Sequence, residues 1–438
     1  MREYFRKHDY LAERVTVHYL GGCYRGRGIL NWTPEKGFHL EAFMERKGPP
    51  LADRLEFYRS EPAQESDYHS IRMVPQGMRW AVTPKFPLVD RLDLVEDKHL
   101  SINLASLTFC TEYDPPVGRE SCGSAIYRVG KTLLFGDKAV TEMRIGDKKI
   151  MKSHESVLLH SDDIMEIQGI YLPNSQEDEP RDLEVTWAFI KRVPYGSLYW
   201  QYWHWPEAFG QALSILSGRT VHLLYREMCR CGRKYTQYRR SRDVDHLGDL
   251  APLGSSIRVN KDALLKLAGF LAHGSQRADY CLHIFCQLVE ACRQESWQAT
   301  ELLCSTILEA ALRSVDKDNP AFGKRDKSWD IWESLPRFRD LFRQGFLSDN
   351  WPEACDRVLK VWARLRHPNA HPDWLKRHGG ALSPKEQADS LDDMIYLTRF
   401  YGYMILAMAG FKNLEPRFPA PIAQWTPGMI RGKDKDTA

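Results

Sequence analysis

Beyond the middle of the chain the spacing of apolar residues changes, and this change constrains the fold more than any other feature. Up to residue 250, short stretches such as Arg14–Leu20 alternate apolar with polar residues and are rich in β-branched side chains. Alternation with a period of two places one side of each stretch on a core, which predicts β-strands. From residue 260 onwards, apolar residues recur at i, i+3, i+4 and i+7, which predicts helices. We therefore expect an α+β multidomain protein.

The first half carries turn signals as well as strand signals. Gly28–Trp32 and Phe38–Ala42 are predicted to pair as a hairpin across Thr33–Gly37, where Pro34 fixes one φ and Gly37 supplies a positive one. Further strands are predicted at Leu100–Phe109, Ala125–Val129 and Leu183–Phe189, and a loop at Gln168–Arg181. Short antiparallel strands at these intervals are typical of a sandwich or a barrel. Residues 1–250 are thus expected to form an antiparallel, β-rich, sandwich-like domain.

The second half shows helical spacing almost throughout. Helices are predicted at Arg277–Arg293, Trp297–Val315, Trp329–Phe342, Pro352–Arg366 and Pro384–Met408. Ser383 before Pro384 marks a helix start, because Ser caps unpaired N–H groups and Pro suits the first helical position. A cluster of Pro, Gly and Ser at Ala251–Ser256 marks the boundary between the domains. Residues 257–438 are expected to form an all-α helical bundle.

Composition restricts the classes of function. The 61 Lys and Arg residues nearly balance the 58 Asp and Glu residues, for a net charge of +3, so a surface that binds nucleic acid must be local. No stretch reaches the roughly 18 uncharged apolar residues that a membrane span needs, and the N-terminus is charged. The ten cysteines are scattered, as in reduced proteins. We expect a cytoplasmic protein with no membrane partner.

The hexapeptide Arg366-His-Pro-Asn-Ala-His371 carries the clearest chemical signal in the chain. Cleavage of RNA without a metal needs a group that moves protons near neutral pH, and histidine has that property. It also needs a group that binds the scissile phosphate and stabilises the charge that builds there, as a guanidinium does. Arg366 and His371 are therefore the catalytic candidates, and no cofactor is required. Arg364, with six residues between it and His371, is a further candidate for phosphate contact.

A plainer interpretation of the same residues exists. An arginine near the C-terminal end of a helix is favoured by the helix dipole, and the histidines would then be polar loop residues. Pro368 removes a backbone donor, and Pro372 disfavours helix at the residue before it. The helix that starts at Pro352 is therefore expected to end near Arg366, with His371 on a turn beyond it.

Arg364–Trp374 resembles the Arg-x4–6-His hallmark of HEPN ribonuclease domains, at the place in a helical domain where they carry it. The resemblance implies a C-terminal HEPN fold in which Arg366 and His371 are catalytic. HEPN nucleases pair through this face, so the resemblance also implies a homodimer in which two motifs form one cleft.

The HEPN resemblance also implies supporting residues. His367 and Asn369 match the polar residues that such motifs carry between the Arg and the His. An acidic residue of another helix can orient the arginine, and Glu301 and Glu309 are candidates for that role. The alternative for these two glutamates is an ordinary surface salt bridge.

The first half of the chain resembles the N-terminal domain of ApeA-like proteins, bacterial anti-phage factors that end in a HEPN domain. The hairpin Gly26–Leu40 and the aromatic segment Trp200–Gly218 carry this likeness. It implies an endoribonuclease that cleaves cellular RNA, with tRNA as one candidate, in abortive infection, and a β-rich domain that senses a phage-derived trigger. Attack by the 2′-OH would leave a 2′,3′-cyclic phosphate. The alternative is a non-catalytic helical protein that binds RNA or another protein.

Cys229–Arg242 is basic, contains no acidic residue and has interleaved tyrosines. Such charge together with stackable rings is typical of single-stranded RNA binding, although a solvated hairpin rim is an equal alternative. The RNA-binding candidates are Arg230, Arg233, Lys234, Tyr235, Tyr238, Arg239 and Arg240. Cys229 and Cys231 could form a zinc site with Cys23, Cys110 or Cys122. Their Cys-x-Cys spacing differs from the Cys-x2-Cys that structural zinc sites prefer, so the expectation is a site without metal, with zinc as the alternative.

Overall fold

The computed structural model describes residues 8–19, 22–46, 70–76, 80–82, 89–95, 99–104, 106–112, 121–130, 139–145, 148–161, 165–172, 181–189, 197–230, 233–240, 242–253, 259–315, 351–370 and 383–411. These residues fall into two compact units. The first contains the strands of the first half together with His222–Asp243. The second contains Tyr199–Val221 and the described residues from Val244 onwards.

The first unit is built from fifteen β-strands. They are β1 His8–Tyr19, β2 Gly22–Thr33, β3 Gly37–Arg46, β4 Ser70–Pro75, β5 Trp80–Val82, β6 Val89–Val95, β7 His99–Leu104, β8 Ser106–Glu112, β9 Ser121–Gly130, β10 Ala139–Ile145, β11 Lys148–Ser161, β12 Met165–Leu172, β13 Arg181–Phe189, β14 His222–Arg230 and β15 Arg233–Arg239.

All fifteen strands are joined by antiparallel pairing in the order β10-β11-β12-β13-β9-β14-β15-β8-β5-β4-β1-β2-β3-β7-β6. The antiparallel, β-rich character that alternation predicts for the first half is therefore confirmed, within a mixed α+β chain. Because the order departs repeatedly from chain order, many of the pairings join strands that are distant in the sequence.

The sheet bends back on itself, so that strands far apart in the order share one core. Trp32 on β2 is five positions from Tyr238 on β15, yet their ring centroids lie 5.4 Å apart. Phe38 on β3 is five positions from Phe109 on β8, and their centroids lie 5.6 Å apart. Adjacent strands are about 4.8 Å apart, so a flat sheet would separate each pair by more than about 20 Å. The concave side encloses a continuous apolar core.

The hairpin of β2 and β3 agrees with its prediction. Its turn joins Thr33 to Gly37, which has a φ of 80°, and the Lys36 N–H donates to Thr33 Oγ1 at 3.2 Å. Gly28 lies where β2 and β3 approach closely, because a Cβ there would be 2.2 Å from the carbonyl oxygen of Glu41. The glycines that frame this hairpin thus allow contact between the two backbones.

Two predictions for the first half need correction. Leu100–Phe109 is two strands, β7 and β8, rather than one: β7 pairs with β3 and β6, and β8 pairs with β15 and β5. The alternation of apolar and polar residues shows which side of a strand is buried. It can continue where one strand ends and the next begins, so it does not reveal a change of pairing partner. The start of the loop predicted at Gln168–Arg181 is wrong, because β12 continues to Leu172, and residues 173–180 lie outside the described residues.

The described residues also form six α-helices: α1 Ser197–Ser217, α2 Lys261–Ala272, α3 Gln276–Cys292, α4 Trp297–Val315, α5 Trp351–Ala370 and α6 Pro384–Met408. The bounds predicted for α4 and α6 are confirmed. At the start of α6, Ser383 and Glu386 form a reciprocal capping box, with Pro384 at the first helical position. The helix predicted at Trp329–Phe342 lies outside the described residues.

The helices from α2 to α6 pack mainly through α4 and α6. Helix α4 contacts α3, α5 and α6, and α5 also contacts α6. Gly402 on α6 permits a close approach, since a Cβ there would lie 2.1 Å from the carbonyl oxygen of Pro252. Within the part of the chain that the structure describes, no helix is both long enough and apolar enough to span a membrane.

Candidate active site

Helix α5 carries the central candidate, Arg366, and its amphipathic sequence determines how it is held. One side buries Val358, Leu359, Val361, Trp362 and Leu365. Arg357, Lys360 and Arg364 are exposed and are spaced three and four residues apart, so they form a basic stripe along the other side. The buried side lies toward α4 and α6, which are the helices that α5 contacts. The stripe leaves cations accessible to an anionic partner.

Arg366 is half-buried and lies against an aromatic ring of its own helix. Its Cζ is 5.4 Å from the centroid of Trp362, one turn earlier. Trp362 is itself buried, so the ring is a fixed support. A cation above an indole ring is attracted by the ring's electrons, which limits the orientations of the guanidinium. Arg366 is therefore held by the helix and by the indole.

Arg364 is bound to α6. Its Nε donates to Oδ2 of Asp393 at 2.7 Å, and a second guanidinium nitrogen donates to Oδ1. The hydrogen bonds with Asp393 raise the pKa of Arg364 above its ordinary value. Two parallel bonds to one carboxylate orient a guanidinium strongly. Of the two arginines in the motif, Arg364 thus has a defined role in joining α5 to α6.

The structure corrects the expected end of α5. The helix continues past Arg366 and through Pro368 to Ala370. Pro368 has no N–H for the carbonyl of Arg364, a loss that costs about 3 kcal/mol or more in a helix interior. Burial of the apolar side of α5 offsets this cost, because each fully buried large apolar side chain contributes about 1.5–3 kcal/mol. The predicted end near Arg366 used only the local effects of proline and did not include this packing energy.

The partner in the proposed motif, His371, is the residue after Ala370 and lies outside the described residues. The backbones of His367 and Asn369 are helical, but the positions of their side chains are not described. Arg366 is therefore placed by the structure, whereas the distance from its guanidinium to His371 stays a prediction.

Glu301, a candidate for orienting the arginine, takes part in a buried polar contact between α4 and α6. It accepts a hydrogen bond from Trp297 Nε1 at 3.0 Å and another from Ser390 Oγ. Trp297 Nε1 also donates to Ser390 Oγ at 3.2 Å. Deeper in the same contact, the hydroxyl of Tyr401 donates to the carbonyl oxygen of Cys304. These bonds assign Glu301 a structural role in the helices that support α5. The other candidate, Glu309, lies on α4, and its side chain is not described.

Three residues near the motif were missed by sequence reasoning. Asp393 binds Arg364, the Tyr396 ring lies 4.3 Å from Cζ of Arg357, and Trp362 supports Arg366. Asp393 and Tyr396 are three residues apart on α6, and their partners Arg364 and Arg357 are seven residues apart on α5. All four residues were present in the sequence, but their pairing can be recognised only when α5 and α6 are known to be neighbours.

A deeper cation on α6 is Arg399, which is 4% exposed. Burial lowers its pKa to about 10, although the charges of Asp249 and Tyr403 act in the opposite direction. It lies one turn beyond Tyr396 on α6. Because its side chain is buried, we assign it a structural role rather than contact with a partner at the surface.

The basic stretch from Cys229 does not form one surface, because residues of a strand alternate between two sides. On β15, Arg233 is exposed, whereas Lys234 forms an ion pair with Glu227 at 2.7 Å. Tyr238 is 5% exposed and its ring packs within the aromatic core, 5.2 Å from Tyr225. That ring is directed away from solvent, a correction to its expected contact with RNA.

The remaining RNA-binding candidates of this stretch are less enclosed. Tyr235, Arg239 and Arg240 are each half-buried, and a guanidinium nitrogen of Arg239 lies 3.4 Å from Oε1 of Gln237, to which it donates. The side chain of Arg230 is not described. Their contact with RNA stays a prediction.

Of the cysteines that could join Cys229, the structure places Cys122 beside it. Cys229 lies directly opposite Cys122 on β9, and a hydrogen bond between the two thiols, together with burial, raises the pKa of Cys229. Cys231 lies outside the described residues. Among the residues that the structure does describe, no group of three or more His, Cys, Asp or Glu side chains is arranged to hold a metal ion.

Comparison of the chain with protein-family models, with curated proteins and with solved structures found no match.

Proposed function

We propose that this protein is a metal-independent endoribonuclease of the HEPN type, with Arg366 and His371 as its catalytic residues. The observation that carries the proposal is the support of the Arg366 guanidinium by Trp362 on a helix that continues until the residue before His371. A guanidinium held in one orientation can bind a phosphate without first losing conformational freedom. The basic stripe on α5 supports the proposal, because Arg357 and Lys360 can attract adjacent phosphates of an RNA strand.

In the proposed reaction, His371 removes the proton of a ribose 2′-OH. The 2′ oxygen then forms a bond to phosphorus while the bond from phosphorus to the 5′ oxygen breaks. Arg366 binds the non-bridging oxygens and stabilises the charge that builds on them. A second imidazole protonates the departing 5′ oxygen. The products are a 2′,3′-cyclic phosphate and a 5′-hydroxyl, and every step uses side chains of the protein alone.

Two histidines are available if two copies pair through their C-terminal helices, and we propose that they do. One copy then supplies the base and the other the acid in a composite cleft. His367, which lies between Arg366 and His371, is the alternative source of the second imidazole within one chain. Arg364 and Glu301 are proposed to position the helices rather than to contact RNA, since their bonds to Asp393 and Ser390 join α5 and α4 to α6.

The test is cleavage of RNA by the full chain in excess EDTA, with tRNA and an unstructured RNA as separate substrates. Arg366→Ala and His371→Ala are expected to lower the rate by at least about 100-fold, the size of a single general acid–base contribution. The matched control is Arg277→Ala, which removes an exposed arginine from α3. Equal activity of the four proteins would remove the assigned roles, and a product with a 3′-hydroxyl would remove the mechanism.

The composite cleft has its own test. Arg366→Ala and His371→Ala proteins, each inactive alone, are mixed so that mixed dimers form. Partial recovery of cleavage is expected, because a mixed dimer has one Arg366 and one His371 at the shared cleft, whereas each homodimer lacks one of these residue types altogether. Absence of recovery in mixtures shown to exchange subunits would argue against a cleft in which one Arg366 and one His371 from different copies are sufficient.

The proposed biological role is defence against phage in the bacterial cytoplasm, with a phage-derived trigger acting on the β-rich unit. It rests on the resemblance to ApeA-like proteins. The test is phage plating on cells that express the wild type, Arg366→Ala or Arg277→Ala. Protection by the wild type and by Arg277→Ala, but not by Arg366→Ala, is expected. Protection that survives Arg366→Ala would separate defence from RNA cleavage.

A further inference from the structure

Strands β9 and β14 place two cysteines directly opposite each other. Cys122 is the partner of Cys229 in the antiparallel pairing, and the next residues along, Gly123 and Met228, are paired in the same register. Opposite residues of antiparallel strands have Cα atoms about 4.5–5.5 Å apart. A disulfide spans Cα separations of about 4.4–6.8 Å. Both cysteines are in the thiol form, so a disulfide could form here without any movement of the backbone.

The two thiols already interact, and their surroundings are polar. A hydrogen bond with Cys122, together with burial, raises the pKa of Cys229, whereas the charge of Lys234 lowers it. The Sγ of Cys229 also lies 4.0 Å from Oε1 of Glu227, and Lys234 forms its ion pair with the same carboxylate. The proton is therefore held on Cys229, and Cys122 is the thiol that ionises first.

The two cysteines differ in their access to solvent. Cys122 is half-buried, whereas Cys229 is 2% exposed. A dissolved reagent can therefore reach the sulfur of Cys122, while Cys229 can react only with a group already attached to Cys122. An accessible thiol beside an enclosed one is the arrangement in which the first attacks an oxidant and the second completes the disulfide.

The register separates this pair from the other cysteines. Cys110 on β8 is opposite Tyr235 on β15, and Tyr235 follows Lys234, the residue opposite Cys229. Successive residues of a strand lie on opposite sides of the sheet, so Cys110 is on the other side from Cys122 and Cys229. Within the strands that the structure describes, no other two cysteines are opposite each other.

We propose that Cys122 and Cys229 form a reversible disulfide in the presence of a low-molecular-weight disulfide, which joins β9 to β14. The Cys122 thiolate attacks one sulfur of the oxidant, whose S–S bond breaks, and the released thiolate takes up the proton that Cys122 lost. The Cys229 sulfur then attacks the sulfur of Cys122, and its proton passes to the second departing thiolate. The two cysteines are oxidised, and the oxidant is reduced to two thiols. This inference is independent of the ribonuclease proposal.

The disulfide would join parts of the chain that are distant in sequence. Cys122 and Cys229 are more than one hundred residues apart, and β10 to β13 and α1 lie between them. Closing so long a loop restricts the unfolded chain and stabilises the folded one. Disulfides of this kind are reduced in the cytosol except while they respond to oxidants. The thiol–disulfide balance would then select between two forms of the β-rich unit that differ in stability.

The first experiment treats the full chain with glutathione disulfide, blocks the remaining thiols with a maleimide in denaturant and identifies the peptides by mass spectrometry. A peptide in which Cys122 is joined to Cys229 is expected in most chains, and dithiothreitol should remove it. The exposed Cys286 on α3 is the internal control, since it should gain glutathione without forming this link. Two cysteines that stay thiols, or that carry separate glutathione adducts, overturn the proposal.

The second experiment tests the order of attack. Cys229→Ala is expected to retain glutathione on Cys122, whereas Cys122→Ala should give at least tenfold less adduct on Cys229. Equal adducts in the two variants overturn the assigned order.

The third experiment tests the stabilisation. Oxidation is expected to raise the unfolding temperature by about 5 °C or more in the wild type and in the matched control Cys286→Ala, but not in Cys229→Ala. A linked chain that unfolds at the same temperature as the reduced one overturns the proposed difference in stability.

Discussion

Arg364 on α5 and Asp393 on α6 form a two-pronged ion pair, in which the Nε of the arginine lies 2.7 Å from Oδ2 of the aspartate. The Asp393 side chain is 15% exposed, whereas that of Arg364 is 59% exposed, so the carboxylate is the more enclosed partner. The ion pair gives the two arginines of the motif different roles. Arg364 serves as a link between helices, and Arg366, against Trp362, is the one proposed to bind phosphate.

Replacing Asp393 by Asn is predicted to weaken this link. Because the arginine is largely exposed and water screens the pair, the free energy of unfolding should fall by only about 0.5–1 kcal/mol. Urea denaturation of the wild type, Asp393→Asn, Arg364→Gln and the double variant measures the coupling between the two side chains. Additive effects of the two single changes would show that the pair contributes no coupling energy.

Trp362→Phe is predicted to lower RNA cleavage while preserving the fold. A phenyl ring attracts a cation less strongly than an indole ring, by about 0.5–1 kcal/mol, which corresponds to a rate decrease of roughly two- to fivefold. The smaller ring should cost less than about 1.5 kcal/mol in stability. Cleavage rates and thermal unfolding are measured together, with Trp297→Phe as the comparison for loss of an indole elsewhere. An unchanged cleavage rate in Trp362→Phe would argue that the ring does not position Arg366.

Glu184→Gln is predicted to stabilise the protein at neutral pH. Burial on β13, with the charge of Glu227 adding to it, raises the pKa of Glu184 above its ordinary value of 4.5. A carboxyl group whose pKa is raised in the folded state binds its proton more tightly there. The free energy of unfolding therefore falls as pH rises from 4.5 through the raised pKa.

Thermal unfolding between pH 4.5 and pH 8 measures this effect. Glu184→Gln should unfold at a higher temperature than the wild type at pH 7.5, and the difference should shrink as the pH falls toward 4.5, because the wild-type carboxyl then becomes protonated in the folded state. Glu35→Gln, in the exposed turn between β2 and β3, is the control. A difference that does not vary with pH would rule out the carboxyl as its source.

Ser383→Ala is predicted to destabilise α6 at its start. Ser383 Oγ accepts the N–H of Glu386, and the Glu386 carboxylate accepts the N–H of Ser383 at 2.8 Å. Loss of an N-cap hydroxyl costs about 1 kcal/mol. Urea denaturation should show that decrease for Ser383→Ala, whereas Ser383→Asp, which keeps an acceptor, should stay within a few tenths of 1 kcal/mol. Equal loss in both variants would locate the effect outside the cap.

Local signals predicted the elements whose formation depends on nearby residues. The turn at Gly37 and the start of α6 at Ser383 were both readable, because each needs a particular residue at a particular position. The end of α5 could not be predicted from nearby residues in this way. Pro368 signals a helix end, yet the apolar side that includes Val361 and Leu365 packs on other helices and offsets the local penalty.

The candidate site was predicted in part. The chemistry of Arg366 follows from its residue type, and its position on a helix was expected. Its support by Trp362 and the engagement of Arg364 by Asp393 were not expected, because the second contact joins helices separated by many residues. For the basic stretch after Cys229, the sequence suggested one RNA-binding surface that the structure does not form. The stretch is continuous in sequence, but on a strand its members divide between two sides, and Tyr238 enters the core.

The sequence by itself determined which segments alternate and which repeat with helical spacing, where two helices begin and end, and which residue types the ribonuclease proposal can use. These properties depend on residue type and on neighbours within a few positions. Only the tertiary structure decided that the sheet curls until Trp32 meets Tyr238, that α5 continues through Pro368, and that Asp393 takes Arg364. Each of these depends on contacts between distant parts of the chain, whose packing energy exceeds the local preferences that sequence patterns express.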